Sequence, residues 1–443
     1  MSYSKLMYTC VTVLLAGMLI PSMMALSTAP FGHEMLPYFF HNYTQFNHGA
    51  YGGTPRPVVD AQYGYVATME SDIDPWMNSQ SGYRTCIQSV REALTSMTKA
   101  KDVNDTVLVD NATEGINVIL RTMEPPLGPD QFIFDLSTEY APFAGLYEWM
   151  ESRYGTKVIT ADIPFPVTGP ESFIAPVAAM LKANASSLNI RVAVVSHIAA
   201  YPQIVLPVKE LVELFHAYDI PVVVDGAHAL GNIDIDLGNM GDPDFYFANA
   251  HKWLYAPKSA AFLYVRHDHQ RSHVPAPMLI DSPETNTFTD RFIWTGTRDR
   301  TAYCAVRDAL AWRESLGGEA AIMQYNQGLA REGGDLLVNM WRTRFLGPSE
   351  MMSSMVTVQV PTNDLSACQT LRSELCSTYA ICVSASSSYT AAESNIPCYW
   401  RLSAQIYLDT SDFQRLGEHT INILKDLGAL SSSAELGFTH VPV

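Results

Sequence analysis

Two side chains in the stretch from Val222 to Val265 have types and positions that suit one kind of chemistry. Asp225 ends the β-branched run VVVD, and Lys252 follows a second strand-like run in DFYFANAHKW. Such runs predict strands buried on both faces, and open α/β sheets bind ligands at the carboxyl ends of their strands. A lysine amine forms a Schiff base with an aldehyde, and a carboxylate keeps a pyridine nitrogen protonated. The pair therefore indicates pyridoxal phosphate as the cofactor.

A further motif offers a site for the phosphate of such a cofactor. TVLVDNATEGINVILRTM predicts a strand, a polar turn and an amphipathic helix. The start of that helix presents free amides and the positive end of its dipole, which attract an anion. The Thr113 hydroxyl and the amides of Ala112 and Glu114 are the candidate donors to the phosphate. The alternative is that Asn111 or Thr113 only caps the helix.

These motifs resemble a known family when they are taken together. D-x-x-H followed by HKW, with NATEG, FNHGAYGGTP, GTRD and RLSAQIY, looks like the class V aminotransferases, which are fold-type I pyridoxal-phosphate enzymes. The chain is most similar to the isopenicillin N epimerase-like branch, which is related to the cysteine desulfurases. The resemblance implies that Lys252 carries the cofactor as an internal aldimine, that Asp225 pairs with the pyridinium and that His228 donates to the ring 3-oxygen.

The same resemblance favours phosphate binding over simple capping at Thr113, because NATEG looks like the phosphate loop of the family, and it assigns further contacts to the cofactor. Tyr140 would stack on the pyridine ring, whereas a loop tyrosine is otherwise most often half-buried core. Asn249 and His251, which flank the lysine, would bind phosphate or orient the Schiff base. Thr297 in GTRD would reach the phosphate of a neighbouring subunit, which implies a homodimer with shared active sites.

The resemblance also implies contacts to the substrate. Arg401 is predicted on a strand before QIY, and its guanidinium offers a planar fork that grips an amino-acid carboxylate. Asn47 and His48 are expected near the substrate, with ordinary turn residues as the alternative. His197 and Tyr201 follow the strand AVVS and are expected to line the pocket. A purely structural histidine is the alternative for His197.

The order of elements predicts the architecture. Strand and helix alternate through KVITADIP and the long segment that ends in VVVD, which indicates right-handed crossovers and a parallel sheet. The predicted fold is α/β, with the mainly parallel, seven-stranded type of sheet that the resemblance implies in a large domain and a smaller α+β C-terminal domain. The predicted segments are a signal peptide (1–27), an irregular lead-in loop (28–57), the large domain (58–327) and the small domain (328–443).

The N-terminus bears on location. Lys5 precedes the apolar run LMYTCVTVLLAGMLI, which predicts a secretory signal peptide cleaved near Ser27. An uncleaved membrane anchor is the alternative, because the apolar run nearly reaches the length that spans a bilayer. We therefore expect the protein in the secretory pathway or outside the cell, with membrane contact only in the anchored case. The net charge of −17 argues against a nucleic-acid partner.

Cysteines and sequons agree with that location. Cleavage would leave six of the seven cysteines, an even number compatible with disulfides whose pairing the sequence leaves open. No CxxC pair occurs, and the histidines of RHDHQRSH lack metal-ligand spacing, so no metal site is predicted. Sequons at Asn42, Asn104 and Asn184 fit a secreted surface, whereas a glycan at the Asn111 sequon would block the predicted phosphate site.

A pyridoxal-phosphate enzyme that acts on an amino acid is the predicted function. Through an external aldimine, Lys252 would remove the α-proton of the substrate. β-Elimination of a thiol from a cysteine derivative is the first choice, because lyases are frequent in this branch, and amino-acid epimerisation is the alternative. A persulfide-forming desulfurase carries a nucleophilic cysteine in the loop that here reads SASSSYTAAESN, which contains none, so this outcome is less favoured. It stays an alternative because Cys382 and Cys398 flank the loop. A non-catalytic binding protein on the same fold is the hypothesis from another class.

Overall fold

The structure is a computed structural model, which describes residues 31–272, 287–386 and 398–431. The predicted signal peptide and most of the SASSSYTAAESN loop lie outside the described residues. Within the described ranges, no helix combines the length and the apolar character needed to cross a membrane.

The chain alternates between helices and strands, as the sequence predicts. The helices are α1 (His48–Tyr51), α2 (Arg56–Ser71), α3 (Ile73–Asn78), α4 (Tyr83–Met97), α5 (Ala112–Arg121), α6 (Phe143–Tyr154), α7 (Glu171–Asn184), α8 (Val208–His216), α9 (Ala250–Trp253), α10 (His269–Ser272), α11 (Asp290–Ile293), α12 (Thr301–Cys304), α13 (Val306–Ser315), α14 (Gly318–Trp341), α15 (Leu365–Tyr379) and α16 (Thr410–Asp426). The strands are β1 (Thr44–Gln45), β2 (Thr106–Val109), β3 (Gln131–Leu136), β4 (Lys157–Ala161), β5 (Asn189–Ser196), β6 (Val222–Asp225), β7 (Phe245–Asn249), β8 (Ala261–Val265), β9 (Met355–Gln359), β10 (Ile381–Cys382), β11 (Ser384–Ser386) and β12 (Tyr399–Ser403).

A seven-stranded sheet in the order β2-β8-β7-β6-β5-β3-β4 forms the centre of the molecule. All neighbouring strands are parallel except that β8 runs antiparallel to both β2 and β7. Side chains of β6 alternate between two apolar layers, because Val222 and Val224 pack into one core and Val223 into the other. The predicted α/β fold with a mainly parallel seven-stranded sheet is confirmed.

A smaller sheet follows in the C-terminal part of the chain. Its three antiparallel strands lie in the order β11-β12-β9, and Trp400 of β12 contacts Trp341 of α14 edge to face at 5.7 Å. The capping box of Asp409 and Asp412 starts α16. The predicted boundary between residues 327 and 328 lies within α14, and the division into two domains stays a prediction.

The lead-in segment is more regular than the expected loop. Strand β1 pairs in parallel with β10, and α1 packs against α9, the helix that carries Lys252. Gly52 ends α1 with a positive φ of 69°, and a side chain there would collide with the His251 carbonyl oxygen. The local sequence predicts only turns here, because β1 and α1 are stabilised by partners more than 200 residues away.

All six cysteines in the described ranges form disulfides. The pairs are Cys86–Cys304, Cys368–Cys398 and Cys376–Cys382. The first joins α4 to α12, and the other two tie α15 to the residues on either side of the 387–397 segment. The pairing that the sequence left open is thereby assigned.

Candidate active site

A cleft at the carboxyl edge of the large sheet gathers most of the predicted cofactor residues. Its empty space measures about 630 Å³, including the mouth that opens to solvent. The predicted residues that line it are Asp225, His228, Lys252, Ala112, Thr113, Tyr140, Asn249 and His251. The sequence interpretation did not assign Ala50, Phe143, Ser196, Ile198, Ala200 or Ala227, which line it too. Asn111, expected only as a capping residue, completes the lining.

Asp225 lies at the end of β6, and only 5% of its surface is exposed. The amide of Ala227 donates a hydrogen bond of 2.7 Å to its Oδ1. Burial raises the pKa of Asp225 to about 6, and the hydrogen bond and the charge of Lys252 limit the rise. A buried carboxylate in this state is suited to bind a protonated ring nitrogen.

Lys252 lies in the short helix α9, directly after β7, rather than in a loop. Its Nζ is 3.4 Å from Nε2 of His228, so the amine and the imidazole face the same space. Burial lowers the pKa of Lys252 to about 8, the charge of Asp225 opposes this change and that of Arg401 adds to it. Nδ1 of His228 is buried without a hydrogen-bond partner among the described residues.

The lowered pKa of Lys252 predicts how the apoprotein takes up an aldehyde. Only the unprotonated amine attacks, so the rate of Schiff-base formation is expected to rise about tenfold per pH unit below about pH 8 and to level off above it. Stopped-flow absorbance after mixing apoprotein with pyridoxal phosphate from pH 6 to 10 measures this rate. A rate that still rises up to pH 10 would contradict the lowered pKa.

The back of the lysine segment is held by two residues outside the cleft. His48 is fully buried, and its Nε2 donates to the Lys252 carbonyl oxygen at 2.9 Å while its Nδ1 accepts from the Tyr407 hydroxyl at 2.9 Å. Burial lowers the pKa of His48 to about 3, which keeps the ring neutral. The expected substrate contact therefore does not fit the placement of His48, which positions the lysine instead.

Arg313 is the second of these residues. Its buried guanidinium donates to the carbonyl oxygens of Trp253 at 2.8 Å and Gly231 at 3.1 Å and pairs with Glu319. No local pattern in the sequence distinguishes this arginine, because its partners lie on other elements.

Replacing Arg313 by alanine is expected to destabilise the apoprotein by about 3–5 kcal/mol, because two buried carbonyl groups and Glu319 lose their donor. Urea unfolding of the apoprotein measures the loss, and Arg331→Ala, on an exposed site of α14, serves as the control. A loss for Arg313→Ala no larger than that of the control would show that these contacts are not stabilising.

The start of α5 combines capping with an open anion site. Asn111 caps the helix by accepting from the Glu114 amide at 3.0 Å, and the Ala112 amide donates to Oδ1 of Asn249 at 2.9 Å. Two of the expected phosphate donors are thus already engaged. The Glu114 carboxylate accepts from the Asp110 amide and does not line the cleft. Thr113 is exposed and lines the cleft, so its hydroxyl is the donor that the structure leaves for a phosphate.

The substrate side of the cleft is formed by Arg401 and its neighbours. Arg401 is 4% exposed and donates from Nη1 to the Ala200 carbonyl oxygen and from Nη2 to Oδ1 of Asn47, both at 3.2 Å. Its guanidinium carbon lies 4.5 Å from the ring centre of Tyr201. The predicted group of Arg401, Asn47 and Tyr201 is therefore brought together beside Ala200, which lines the cleft.

His197 and Thr297 lie outside the lining. Nδ1 of His197 is 2.9 Å from the Tyr246 hydroxyl, and burial lowers the pKa of His197 to about 4. This contact fits the structural alternative. Thr297 is exposed, on a segment that Arg298 ties to Asp110 through a salt bridge.

A buried acidic residue that the sequence interpretation missed supports the ring site. Glu139 accepts hydrogen bonds from the amide and the hydroxyl of Ser196, at 2.6 and 2.7 Å, and Ser196 is paired with Asp225 in the register of β5 and β6. Burial, and then the nearby charge of Asp135, raise the pKa of Glu139 well above that of an exposed glutamate. Glu139 lies in the turn STEY that follows β3, and no local pattern distinguishes it from an ordinary solvent-exposed turn residue.

The residues present fit pyridoxal phosphate. Lys252 offers an amine with a lowered pKa, Asp225 a buried carboxylate, His228 an unused ring nitrogen and Thr113 a hydroxyl at a helix start. Tyr140 is 45% exposed at the cleft wall, where a ring could stack on it. The arrangement can therefore hold an aldehyde, a ring nitrogen and a phosphate at the same time.

Comparisons with known proteins agree with this chemistry. The family described as aminotransferase class V matches residues 49–416. An L-cysteine desulfhydrase of Arabidopsis thaliana is 28% identical over 88% of this chain and 90% of its own length. Isopenicillin N epimerase of Streptomyces clavuligerus is 26% identical over 71% of this chain and 80% of its own length.

A solved structure supports the fold. The cysteine desulfurase CsdA of Escherichia coli superposes with a TM-score of 0.69 at 18% identity, over 86% of this chain and 94% of that protein.

Proposed function

This chain belongs to the class V aminotransferase family, and from that premise we propose that it is a carbon–sulfur lyase that uses pyridoxal 5′-phosphate. The reaction converts an S-substituted L-cysteine and water into pyruvate, ammonia and a thiol. L-Cysteine itself would give sulfide. The similarity to an L-cysteine desulfhydrase supports this choice.

The disulfide bonds of the cysteines are the observation that favours a lyase over a desulfurase. A desulfurase needs a free thiolate to accept sulfur, and every cysteine of the described ranges is in a disulfide. The 387–397 segment contains no cysteine, and Cys10 lies in the predicted signal peptide. Sulfur therefore leaves as a free thiol or sulfide rather than as an enzyme persulfide.

Three residues of the cleft and its substrate side have separate roles in the elimination reaction. When bound, pyridoxal phosphate supplies an electron sink next to the α-carbon of the substrate. Lys252 Nζ accepts the α-proton, because its pKa of about 8 leaves about a tenth of the amine unprotonated at pH 7. Asp225 holds the proton on the ring nitrogen. Arg401 binds the α-carboxylate of the substrate, and the bonds to that carboxylate replace its hydrogen bonds to Ala200 and Asn47.

One assay tests the proposal. The purified holoenzyme is incubated with L-cysteine and with S-ethyl-L-cysteine, and sulfide or thiol, pyruvate and ammonia are measured together. Equal amounts of the three products support the lyase. Exchange of the α-proton without pyruvate would instead identify an epimerase, which needs the same base. Absence of cofactor absorbance would favour a non-catalytic binding protein.

The enzyme is further proposed to be a homodimer with shared sites. Thr297 is exposed and does not line the active-site cleft of its own chain, so its hydroxyl is available to a neighbouring subunit, which supports the shared site. Mixing subunits that carry Lys252→Ala with subunits that carry Thr297→Ala would rebuild one intact site only if Thr297 acts across the interface. Light scattering gives the mass, and a monomer or a lack of recovery would reject shared sites.

The proposed location is the secretory pathway or the extracellular space. The three disulfides and the exposed sequon residues Asn42 and Asn104 support an oxidising compartment. Expression in a eukaryotic secretory host followed by N-terminal sequencing tests it. A first residue near Ser27 is expected, whereas an intact N-terminus on membrane-bound protein would support the anchor.

A further inference from the structure

A second cleft lies next to the proposed substrate site, between the lead-in segment and helix α15. We call it the distal cleft. It is open to solvent, with an empty space of about 1140 Å³. The residues that line it are Tyr43, Gln45, Asn47, Tyr51, Gln369, Arg372, Ser373, Cys376, Ser377, Cys382 and Val383.

The buried side chain of Arg401 contacts one lining residue of each cleft. One edge of its guanidinium donates to Ala200, which lines the active-site cleft, and the other donates to Asn47, which lines the distal cleft. Helix α1 makes a second connection, because Ala50 lines the first cleft and Tyr51 the second. The two clefts therefore adjoin at Arg401 and α1, so a substrate held by its α-carboxylate at Arg401 would lie beside both.

Tyr201 connects the same two places. Its ring lies against Arg401, and its hydroxyl hydrogen-bonds Ser384, which follows Cys382 and Val383 of the distal cleft. Burial raises the pKa of the Tyr201 hydroxyl, and the positive charges of Arg401 and Arg372 both oppose the rise. Arg372 is thus near enough to Arg401 for both to act on one side chain.

The charge of the distal cleft favours an anion. Arg372 is the only charged residue among the described residues that line it, in a chain whose net charge is −17. Arg372 is exposed on α15, and within the described ranges it forms no salt bridge. Tyr51 is 74% exposed and faces solvent beside it, and Gln45, Gln369 and Asn47 add amide groups. An exposed guanidinium among neutral polar groups offers a fork to a carboxylate.

We propose that the distal cleft binds a second carboxylate of the substrate and that Arg372 is the residue that selects it. The preferred substrates are then cysteine S-conjugates whose sulfur substituent ends in a carboxylate, such as S-(2-carboxyethyl)-L-cysteine. This assignment rests on the proposed lyase function, which supplies the cleavage. The products are pyruvate, ammonia and a thiol that carries the distal carboxylate.

Binding of unreactive analogues tests the distal cleft separately from catalysis. L-2-Aminopimelate has the same chain length as S-(2-carboxyethyl)-L-cysteine but no sulfur leaving group, and L-2-aminoheptanoate replaces its distal carboxylate by a methyl group. Calorimetry with the holoenzyme is expected to give about 10-fold or more tighter binding of the dicarboxylate, as a charge-assisted hydrogen bond provides.

Variants identify the residue responsible. Arg372→Gln is expected to remove the preference for L-2-aminopimelate, while Arg331→Gln, on an exposed site of α14 away from both clefts, keeps it. Equal affinity for the two analogues in the unmodified enzyme, or a preference that persists in Arg372→Gln, would overturn the proposal.

Turnover distinguishes the two proposals. If S-ethyl-L-cysteine gives pyruvate but the two analogues bind equally, the lyase stands and the distal site fails. If L-2-aminopimelate binds tightly through Arg372 but neither S-ethyl-L-cysteine nor S-(2-carboxyethyl)-L-cysteine is cleaved, the carboxylate site stands and the lyase fails.

Discussion

Replacing Lys252 by alanine is expected to lower pyruvate formation by about 10⁴-fold or more, because the variant lacks both the amine that carries the cofactor and the base that takes the α-proton. No second lysine lines the cleft among the described residues, so no neighbouring amine can substitute. The fold is expected to remain, since the contacts at the back of the segment involve the main-chain carbonyl of Lys252 rather than its side chain.

Two measurements separate loss of chemistry from loss of fold. The visible absorbance of the bound cofactor should disappear on gel filtration of Lys252→Ala, while the urea midpoint of its apoprotein should stay within the range of a surface control. Lys209→Ala, on the exposed side of α8, is that control and should keep full activity. Retention of the absorbance band and of pyruvate formation in Lys252→Ala would remove this lysine from the mechanism.

The residues of the cleft that the sequence predicted share a local signal. Asp225 ends a run of β-branched residues, and Lys252 follows another buried strand, so the general rule for the carboxyl edge of a sheet places both together. The strand–turn–helix pattern likewise places Thr113 at a helix start, whereas its preference for phosphate over capping comes from the resemblance of NATEG to the family. Such patterns involve only a few neighbouring residues, which is why they are readable without the fold.

The residues that hold the lysine from behind carry no such signal. His48 reaches the Lys252 carbonyl across 204 residues, and Arg313 reaches that of Trp253 across 60. The family resemblance predicted His48 near the substrate. Its burial and its two hydrogen bonds depend on the tertiary fold, so the sequence could not reveal them. Disulfide pairing is of the same kind, because Cys86 and Cys304 meet only once α4 packs on α12.

Asp225→Asn is the second substitution with a large expected effect. Asparagine has nearly the same shape and keeps an oxygen that can accept from the Ala227 amide, but it has no negative charge to hold a proton on the ring nitrogen. The cofactor should still attach to Lys252, whereas pyruvate formation should fall by about 10²–10⁴-fold, since the ring withdraws electrons from the α-carbon far less well without that proton.

The two readouts distinguish an electronic role for Asp225 from a structural one. If Asp225 only fills space, Asp225→Asn should keep both the cofactor band and the activity. If its charge keeps the ring protonated, the band persists but elimination is lost, and adding cofactor does not restore it. Asp162→Asn removes an exposed carboxylate that does not line the cleft; it controls for the loss of a negative charge and should be fully active. Burial raises the pKa of Asp225 to about 6, which still leaves the carboxylate mostly ionised at neutral pH, and the positive charge of a protonated ring would lower this pKa. An Asp225→Asn enzyme with unimpaired elimination would therefore show that the proton on the ring is not required.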